Sequence, residues 1–283
     1  MSVAREGRQR TGRTAPLPAV LRHRAAVNRA HRVRNPDQLV KMIDACGFAY
    51  GFTLRTGDAA IPACFDHLST SDEGQKWNWM WVWKDELPEA KRLYYGALLV
   101  RKPTFVSNAF LPIFYATFGR AGEADDHLED VRAGRLSDTG RRIIEFLGAK
   151  GETQTKRMRA ELGITSKEGK AQYGKAIDEV QRLMYVARVR AVGEGREDYN
   201  YTYDLFVRRY PEIVKAAERI SSSDATQVLL ERTVELAGAV TPKQLARLFE
   251  WDEALQERAT KGATLRGTVA LRDGELVLAS LLR

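Results

Sequence analysis

Residues 185–206 read YVARVRAVGEGREDYNYTYDLF, two runs rich in β-branched and aromatic residues on either side of a glycine-rich turn. This pattern predicts a β-hairpin with strands over residues 185–192 and 199–206. Three amphipathic helices are predicted immediately before it. The first is capped by Ser137 or Asp138 and is separated from the next by Gly151, and the others are expected over residues 152–162 and 167–184. Three helices followed by a hairpin are typical of a winged helix. We therefore expect one over residues 137–207, with its third helix turned toward a DNA groove.

The same order of elements is predicted again toward the end of the chain. Helices are expected over residues 224–237, from Thr241-Pro242 onward, and over residues 252–261. Two alternating runs then flank Asp273-Gly274, which is a strong signal for a hairpin turn. Residues 208–283 therefore predict a linker helix and a second winged helix. The expected fold class is mainly α with small β-hairpins.

Residues 35–136 predict an N-terminal helical region with a tryptophan-rich segment. Asn35-Pro36-Asp37 predicts a helix start and Gly47 its end, and a later helix is expected over residues 88–101.

The tryptophan-rich segment contains an indole at every second position. In an extended strand, Trp77, Trp79, Trp81 and Trp83 would all lie on one face. Such a strand is either a wall of the core or a surface on which planar groups stack.

Positive charge is concentrated at the start of the chain. Residues 1–34 contain nine arginines, no lysine and Glu6 as their only acid, which accounts for the whole formal net charge of +8. This composition predicts a disordered basic tail over residues 1–34. The tail is interpreted as solvated chain, as an arm that binds phosphates, or as a transit peptide.

The remaining composition excludes several classes of protein. With 44% hydrophobic and 29% charged residues the chain is typical of a globular protein, and no apolar run approaches the ~18 residues of a membrane helix. Cys46 and Cys64 have no metal-ligand companions, so no metal is expected. Neither a phosphate-binding loop nor a dinucleotide-binding glycine motif occurs, so no cofactor is expected. The expected compartment is the cytoplasm, at the nucleoid.

Four blocks of sequence resemble a known family. They are residues 81–88 (WVWKDELP), 94–99 (YYGALL), 102–107 (KPTFVS) and 204–211 (DLFVRRYP). These blocks are similar to the AlkZ-related, YcaQ-like bacterial proteins, which belong to a winged-helix superfamily of DNA glycosylases that remove alkylated or crosslinked bases. The resemblance covers residues 35–280. It implies a DNA-repair protein whose partner is double-stranded DNA, intact or damaged.

The sequence departs from that superfamily in one respect. Its glycosylases have a Gln-x-Gln or Gln-x-Asp pair that positions the attacking water, and no such tripeptide occurs in this chain. The corresponding place, residues 47–52 (GFAYGF), has neither a carboxylate nor an amide. The resemblance therefore implies either a divergent glycosylase or a non-catalytic DNA-binding or regulatory protein.

Asp85 and Glu86 are the candidate catalytic residues. Cleaving a base from its sugar needs a group that activates water or stabilises positive charge, usually a carboxylate. Both acids follow Trp81 and Trp83, which are the candidate stacking surfaces for an extruded base, and Lys84 is a candidate phosphate ligand. Alternatively, residues 84–86 form a solvated turn in which Asp85 caps a helix, and the tryptophans form a core strand.

Basic residues are concentrated in the first predicted winged helix, since residues 154–196 contain ten basic and five acidic residues. A solvated surface explains any one of them, but their concentration favours contacts with DNA phosphates. The candidate DNA-binding residues are Lys84, Lys156, Arg157, Arg159, Lys167, Lys170, Lys175, Arg188, Arg190 and Arg196.

We expect a monomer whose partner is double-stranded DNA. No association with a membrane and no small-molecule cofactor are expected. A third interpretation, an enzyme for a small molecule with its pocket at the tryptophans, stays open. The DNA-binding interpretation depends on a cationic winged helix that faces a duplex, with an indole-lined hollow beside it.

Overall fold

The computed structural model describes residues 17–53, 58–193 and 198–283. Within them the chain is mainly helical, with small three-stranded antiparallel sheets. The predicted fold class is therefore confirmed. No helix in these ranges is long and apolar enough to cross a bilayer.

The first helix, α1 (Pro18–Arg29), corrects the prediction of a disordered tail over residues 1–34. Arg24 donates hydrogen bonds to the backbone oxygens of Ala237 and Ala239, at 2.7 and 2.9 Å. Val20 is buried in a small apolar cluster near the end of the chain. Apolar residues between the arginines thus give the segment a surface on which to fold. Residues 1–16 lie outside the described residues, and with them Arg5, Arg8, Arg10 and Arg13.

Three repeat units share the order helix, strand, helix, helix, strand, strand, and in each sheet the third strand lies between the other two. Unit 1 contains α2 (Pro36–Cys46), β1 (Phe48–Tyr50), α3 (Cys64–His67), α4 (Glu73–Glu89), β2 (Tyr94–Ala97) and β3 (Pro103–Val106). The predicted boundaries of α2 are confirmed. The Asn35 side chain accepts a hydrogen bond from the Gln38 backbone N–H, and Gly47 follows the helix with a φ of 81°.

The prediction of a strand for the tryptophan run is wrong, because the run lies within α4. At about 100° per residue, a spacing of two produces two i,i+4 pairs on different sides of a helix. Trp77 and Trp81 form the outer pair, at 55% and 50% exposure, whereas Trp83 is 5% exposed. Trp79 stacks on Trp83, with 5.3 Å between ring centroids.

The helix predicted over residues 88–101 is also wrong. Helix α4 begins after Asp72, whose side chain accepts a hydrogen bond from the Gln75 N–H, and it includes Pro88 in its last turn. Strand β2 and a 3₁₀ turn (Leu99–Arg101) then take the place of that helix. Pairing of β2 with β3 therefore outweighed the local helical pattern.

Unit 2 follows two short helices, α5 (Leu111–Ala116) and α6 (Asp126–Arg132). It contains α7 (Asp138–Lys150), β4 (Thr153–Gln154), α8 (Thr155–Glu161), α9 (Lys167–Arg182), β5 (Val186–Val192) and β6 (Asn200–Leu205). The three helices and the hairpin predicted here are confirmed. Ser137 and Ser166 cap α7 and α9 by accepting hydrogen bonds from the Gly140 and Gly169 N–H groups.

Unit 3 follows α10 (Phe206–Arg209) and α11 (Pro211–Ala217). It contains α12 (Ser222–Ala237), β7 (Ala239–Val240), α13 (Pro242–Phe249), α14 (Glu253–Leu265), β8 (Val269–Arg272) and β9 (Glu275–Leu278). Asp273 and Gly274 have φ values of 50° and 78°, as the predicted two-residue turn requires. The sequence thus indicated two of the three repeats found in the described ranges. The wrong assignment of α4 and β2 concealed the first.

The units differ in how they share a core. Units 1 and 3 contribute to one continuous apolar cluster, in which Phe48, Phe105 and Phe206 are fully buried. Unit 2 has its own cluster, built around Ile143, Leu147 and Val180. It meets unit 1 where β5 packs on α4 and where α9 packs on β2. The polar groups at this junction form the site described next.

Candidate nucleic-acid interface

The outer face of α9 contains three of the candidate DNA-binding residues, Lys167, Lys170 and Lys175, and all three are exposed. The buried apolar residues of α9 begin at Tyr173 and continue with Ile177 in the later turns. Lys167 and Lys170 precede this apolar stretch, and Lys175 is directed away from it, so all three lysines reach solvent. The N-terminal half of α9 is therefore a cationic surface.

Two of the other basic candidates of unit 2 form ion pairs with acidic residues. Arg157 forms an i,i+4 ion pair with Glu161, with 2.7 Å between Nε and Oε1. Arg190 pairs with Glu152 across the junction between β5 and the loop before β4. Three more candidates are Lys156, which is exposed on α8, Arg159, which is half-buried there, and Arg196, which lies outside the described residues. The lysines of α9 thus offer the more available positive charge.

A polar cluster joins α4 to the β5–β6 hairpin. Its members, Lys84, Asp85, Arg188, Tyr199 and Tyr201, are called the Lys84 cluster. The Lys84 ammonium lies 2.7 Å from Asp85 Oδ2. It also donates to the hydroxyls of Tyr199 and Tyr201, the latter at 3.2 Å. Lys84 is only 3% exposed, so the structure places this candidate phosphate ligand in the interior.

Two groups of the Lys84 cluster have unused hydrogen-bonding capacity. Tyr199 donates to Asp85 Oδ2, and burial together with the Asp85 carboxylate raises the pKa of Tyr199, so this hydroxyl stays protonated. Asp85 Oδ1 is buried and accepts no hydrogen bond from any described residue. The Arg188 guanidinium lies 3.5 Å from the Tyr201 ring centroid, while its Nε and Nη1 are buried without an acceptor in the described chain. Arg188, like Lys84, is therefore directed inward.

The structure separates the paired candidates of the tryptophan segment. Asp85 is mostly buried, at 15% side-chain exposure, whereas Glu86 is exposed. Trp81 is half exposed and contacts Tyr199, with 4.8 Å between ring centroids and 38° between ring planes. Trp83 is buried. Residues one apart along a helix differ in direction by about 100°, and residues two apart by about 200°. Asp85 and Trp81 therefore lie at the Lys84 cluster, whereas Glu86 and Trp83 do not.

Within residues 47–52, which the resemblance implies as the place of the glutamine pair, the structure has a buried strand. All three residues of β1, Phe48, Ala49 and Tyr50, are buried. The Tyr50 hydroxyl has no hydrogen-bond partner among the described residues. Burial, and then the nearby Asp58 carboxylate, raises the pKa of Tyr50 above its ordinary value. This strand therefore presents a neutral phenol and no group that activates water at neutral pH.

Sequence reasoning missed the tyrosine partners of Asp85 and a cavity. The alternation of Tyr199, Tyr201 and Tyr203 in the strand predicted over residues 199–206 was a usable signal for the tyrosines, because it would place them on one face. The cavity, of about 500 Å³, lies where α5, the end of α9 and the start of α14 meet. It is lined by Trp251 rather than by the tryptophans of α4. No local pattern marks it, because distant segments build it.

The described residues contain no group of three or more histidine, cysteine or acidic side chains arranged to hold a metal ion. The Lys84 cluster itself contains an ion pair, two phenol hydroxyls and one carboxylate oxygen without a donor among the described residues. Such groups can orient a substrate or accept a proton.

Comparison with known proteins identifies the family. A family model described as AlkZ related matches residues 33–250. Among solved structures, the Streptomyces sahachiroi DNA glycosylase AlkZ has a similar fold, with a TM-score of 0.58 and 10% sequence identity over 93% of this chain and 69% of that one. Curated protein sequences give no match. The structural likeness concerns the fold alone, but the family model spans most of the chain. The protein belongs to the AlkZ-related family.

Proposed function

We propose that this protein binds duplex DNA in a DNA-repair role, with its repeat units acting as tandem winged helices. The supporting observation is the exposed cationic half of α9, the third helix of unit 2. In a winged helix this is the element that enters the major groove. A protein that acts on chromosomal DNA would work in the cytoplasm, at the nucleoid.

The charge distribution supports contacts to phosphates. Lys167, Lys170 and Lys175 are exposed, and no ion pair joins any of them to an acid among the described residues. Each lysine that neutralises a phosphate releases condensed counterions, which favours binding at low salt. The surface therefore predicts affinity for duplex DNA with little dependence on sequence.

A salt titration tests the proposal. Wild type and the triple variant Lys167→Ala, Lys170→Ala, Lys175→Ala are titrated with a labelled duplex by fluorescence anisotropy. The slope of log K against log salt is expected to fall by about 0.9 for each lysine that contacts a phosphate. A control of equal charge replaces Lys41, Lys215 and Lys243, which are exposed in other parts of the chain. Absence of binding at ~50 mM salt, or equal slopes for both variants, would reject the proposal.

Excision of an alkylated or crosslinked base is a second candidate function. It is favoured by Asp85 Oδ1, a carboxylate oxygen without a hydrogen-bond donor in the described chain, close to the half-exposed ring of Trp81. If Asp85 activates water, Asp85→Asn abolishes release of free base from methylated duplex, whereas Glu86→Gln retains it. DNA binding without base release by the wild type would instead establish the non-catalytic alternative.

A further inference from the structure

The cavity of about 500 Å³ is outside the Lys84 cluster and has no role in the function proposed above. Unit 2 contributes the end of α9, with Arg182, Leu183 and Met184. Unit 3 contributes Phe249 to Asp252, and then Leu255 and Arg258 of α14. A volume of this size is within the range of small-molecule sites, roughly 300–1,000 Å³.

The apolar part of the lining includes a pair of stacked aromatic rings. The rings of Phe249 and Trp251 stack with 4.2 Å between centroids and 8° between planes. Phe114 lies 6.4 Å from Phe249. Because Trp251 lines the cavity, this stacked pair can offer one aromatic face to a planar heteroaromatic ligand, which gains stacking in addition to burial of its apolar area.

The carboxylates in the lining already have partners. Asp130 accepts from Arg135 at 2.6 Å and from the Tyr185 hydroxyl at 2.7 Å. Glu250 accepts two hydrogen bonds from Arg101, at 2.7 and 2.9 Å. The Asp252 side chain caps α14 at the Leu255 N–H. The acidic groups are therefore occupied in holding the cavity wall.

The cations in the lining are less satisfied. Arg182 Nε is buried without a hydrogen-bond acceptor among the described residues. Burial lowers the pKa of Arg182 although Glu250 lies 3.3 Å away, so its charge is incompletely compensated. Arg258 is exposed at the mouth, and no described carboxylate pairs with it. A ligand with a negative charge would compensate both arginines.

We propose that this cavity is a nucleotide site, in which the base lies against Trp251 and the phosphate lies between Arg258 and Arg182. A free nucleoside monophosphate and a nucleotide extruded from DNA present the same chemistry. Only the second source rests on the proposed function. Residues Lys167 and Arg182 are about 22 Å apart along α9, so the cavity lies at the other end of the helix that the proposed function turns toward DNA.

Calorimetric titration with AMP, adenosine and inorganic phosphate tests the site. Saturable AMP binding is expected, and Arg258→Ala weakens it by about tenfold without changing adenosine binding, because only the phosphate contact is lost. Trp251→Leu weakens the binding of both AMP and adenosine by about tenfold. Trp251→Phe keeps an aromatic ring at this position and changes the two affinities by less than about threefold. The matched controls are Arg219→Ala and Trp77→Leu, two exposed residues outside the cavity.

A second arm identifies the source of the nucleotide. A duplex with one unpaired adenine bulge is compared with a fully paired duplex, and AMP is added as competitor. If AMP removes only the additional affinity for the bulge, the ligand is an extruded nucleotide. If AMP binds without affecting either duplex, the ligand is a free nucleotide.

The proposal is overturned if neither AMP nor adenosine binds at concentrations up to about 1 mM. It is also overturned if the control variants weaken AMP binding as much as Arg258→Ala does. The same wild-type protein, tested with both ligands, separates the two proposals. If wild type binds AMP but not duplex DNA, the nucleotide site stands and the DNA-binding function fails.

Discussion

Helices α4 and α9 are the third helices of units 1 and 2, and their surroundings are opposite. Helix α4 is covered by β5 of the next unit, and its polar residues Lys84 and Asp85 are buried there. Helix α9 packs on β2 through its later turns, while Lys167 and Lys170 in its first turn are exposed. The third helix of the repeat is thus covered by a neighbouring unit in unit 1, whereas in unit 2 its first turn forms an exposed cationic surface.

The two helices differ because a charged side chain can be buried only where the protein supplies hydrogen-bond and charge partners in place of water. A buried ammonium is tolerated in α4 because Asp85 and two tyrosines of the hairpin surround it. The lysines of α9 have no such partners, and burial would be too unfavourable. The hairpin of unit 2 is therefore used for contact within the protein, which leaves α9 as its DNA-facing element in the proposed function.

Removing the Asp85 carboxylate tests this comparison and is expected to have the largest effect on the free energy of unfolding. Asp85→Ala leaves the Lys84 ammonium without its counter-charge and is expected to lower the free energy of unfolding by about 3–5 kcal/mol, measured by urea denaturation. Glu86→Ala, one residue further on and exposed, should change it by less than about 0.5 kcal/mol. Equal effects would show that Asp85 is not part of a buried network.

The tryptophans of α4 give the next largest contrast. Trp83 is 5% exposed, so Trp83→Ala should lower the free energy of unfolding by about 3 kcal/mol through the lost burial and the cavity that remains. Trp81 is 50% exposed and contributes mainly a contact at 4.0 Å with the Lys84 ammonium. Trp81→Ala should therefore cost about 1 kcal/mol or less. A reversed order in chemical denaturation would contradict the orientation of α4.

The sequence predicted units 2 and 3 well because their signals are local. Ser137, Ser166 and Thr241 each cap a helix through a backbone group three residues ahead, and Asp273-Gly274 alone specifies a turn. These contacts lie within a few residues, so they can be recognised in a linear pattern.

Unit 1 and the site depended on distant contacts. A spacing of two among the tryptophans fits a strand, but it also fits two i,i+4 pairs on a helix, and Asp72 and the hairpin of unit 2 determine the outcome. Asp85 was recognisable as a candidate, whereas its partner Tyr199 is 114 residues away in the sequence. The cavity at Trp251 is lined by several segments that are distant in the sequence, from Leu98 to Arg258, and no single segment shows that they meet.

The smallest expected effect concerns the far end of α9, where Arg182 and Arg101 hold Glu250 between units. Burial favours the protonated acid, but the Arg101 hydrogen bond and the charge of Arg182 keep the pKa of Glu250 below its ordinary value of 4.5. The folded state therefore binds fewer protons, and its stabilisation is complete above pH 4.5 and is lost as the pH falls below it.

Glu250→Gln should therefore lower the free energy of unfolding by less than about 1 kcal/mol at pH 7, because the carboxylate is partly exposed. The difference from wild type should shrink as the pH is lowered through 4.5 in urea denaturation. Glu257→Gln is the matched control, since Glu257 is exposed on α14. A difference that stays constant with pH would mean that the shape of residue 250, and not its charge, holds the end of α9 to unit 3.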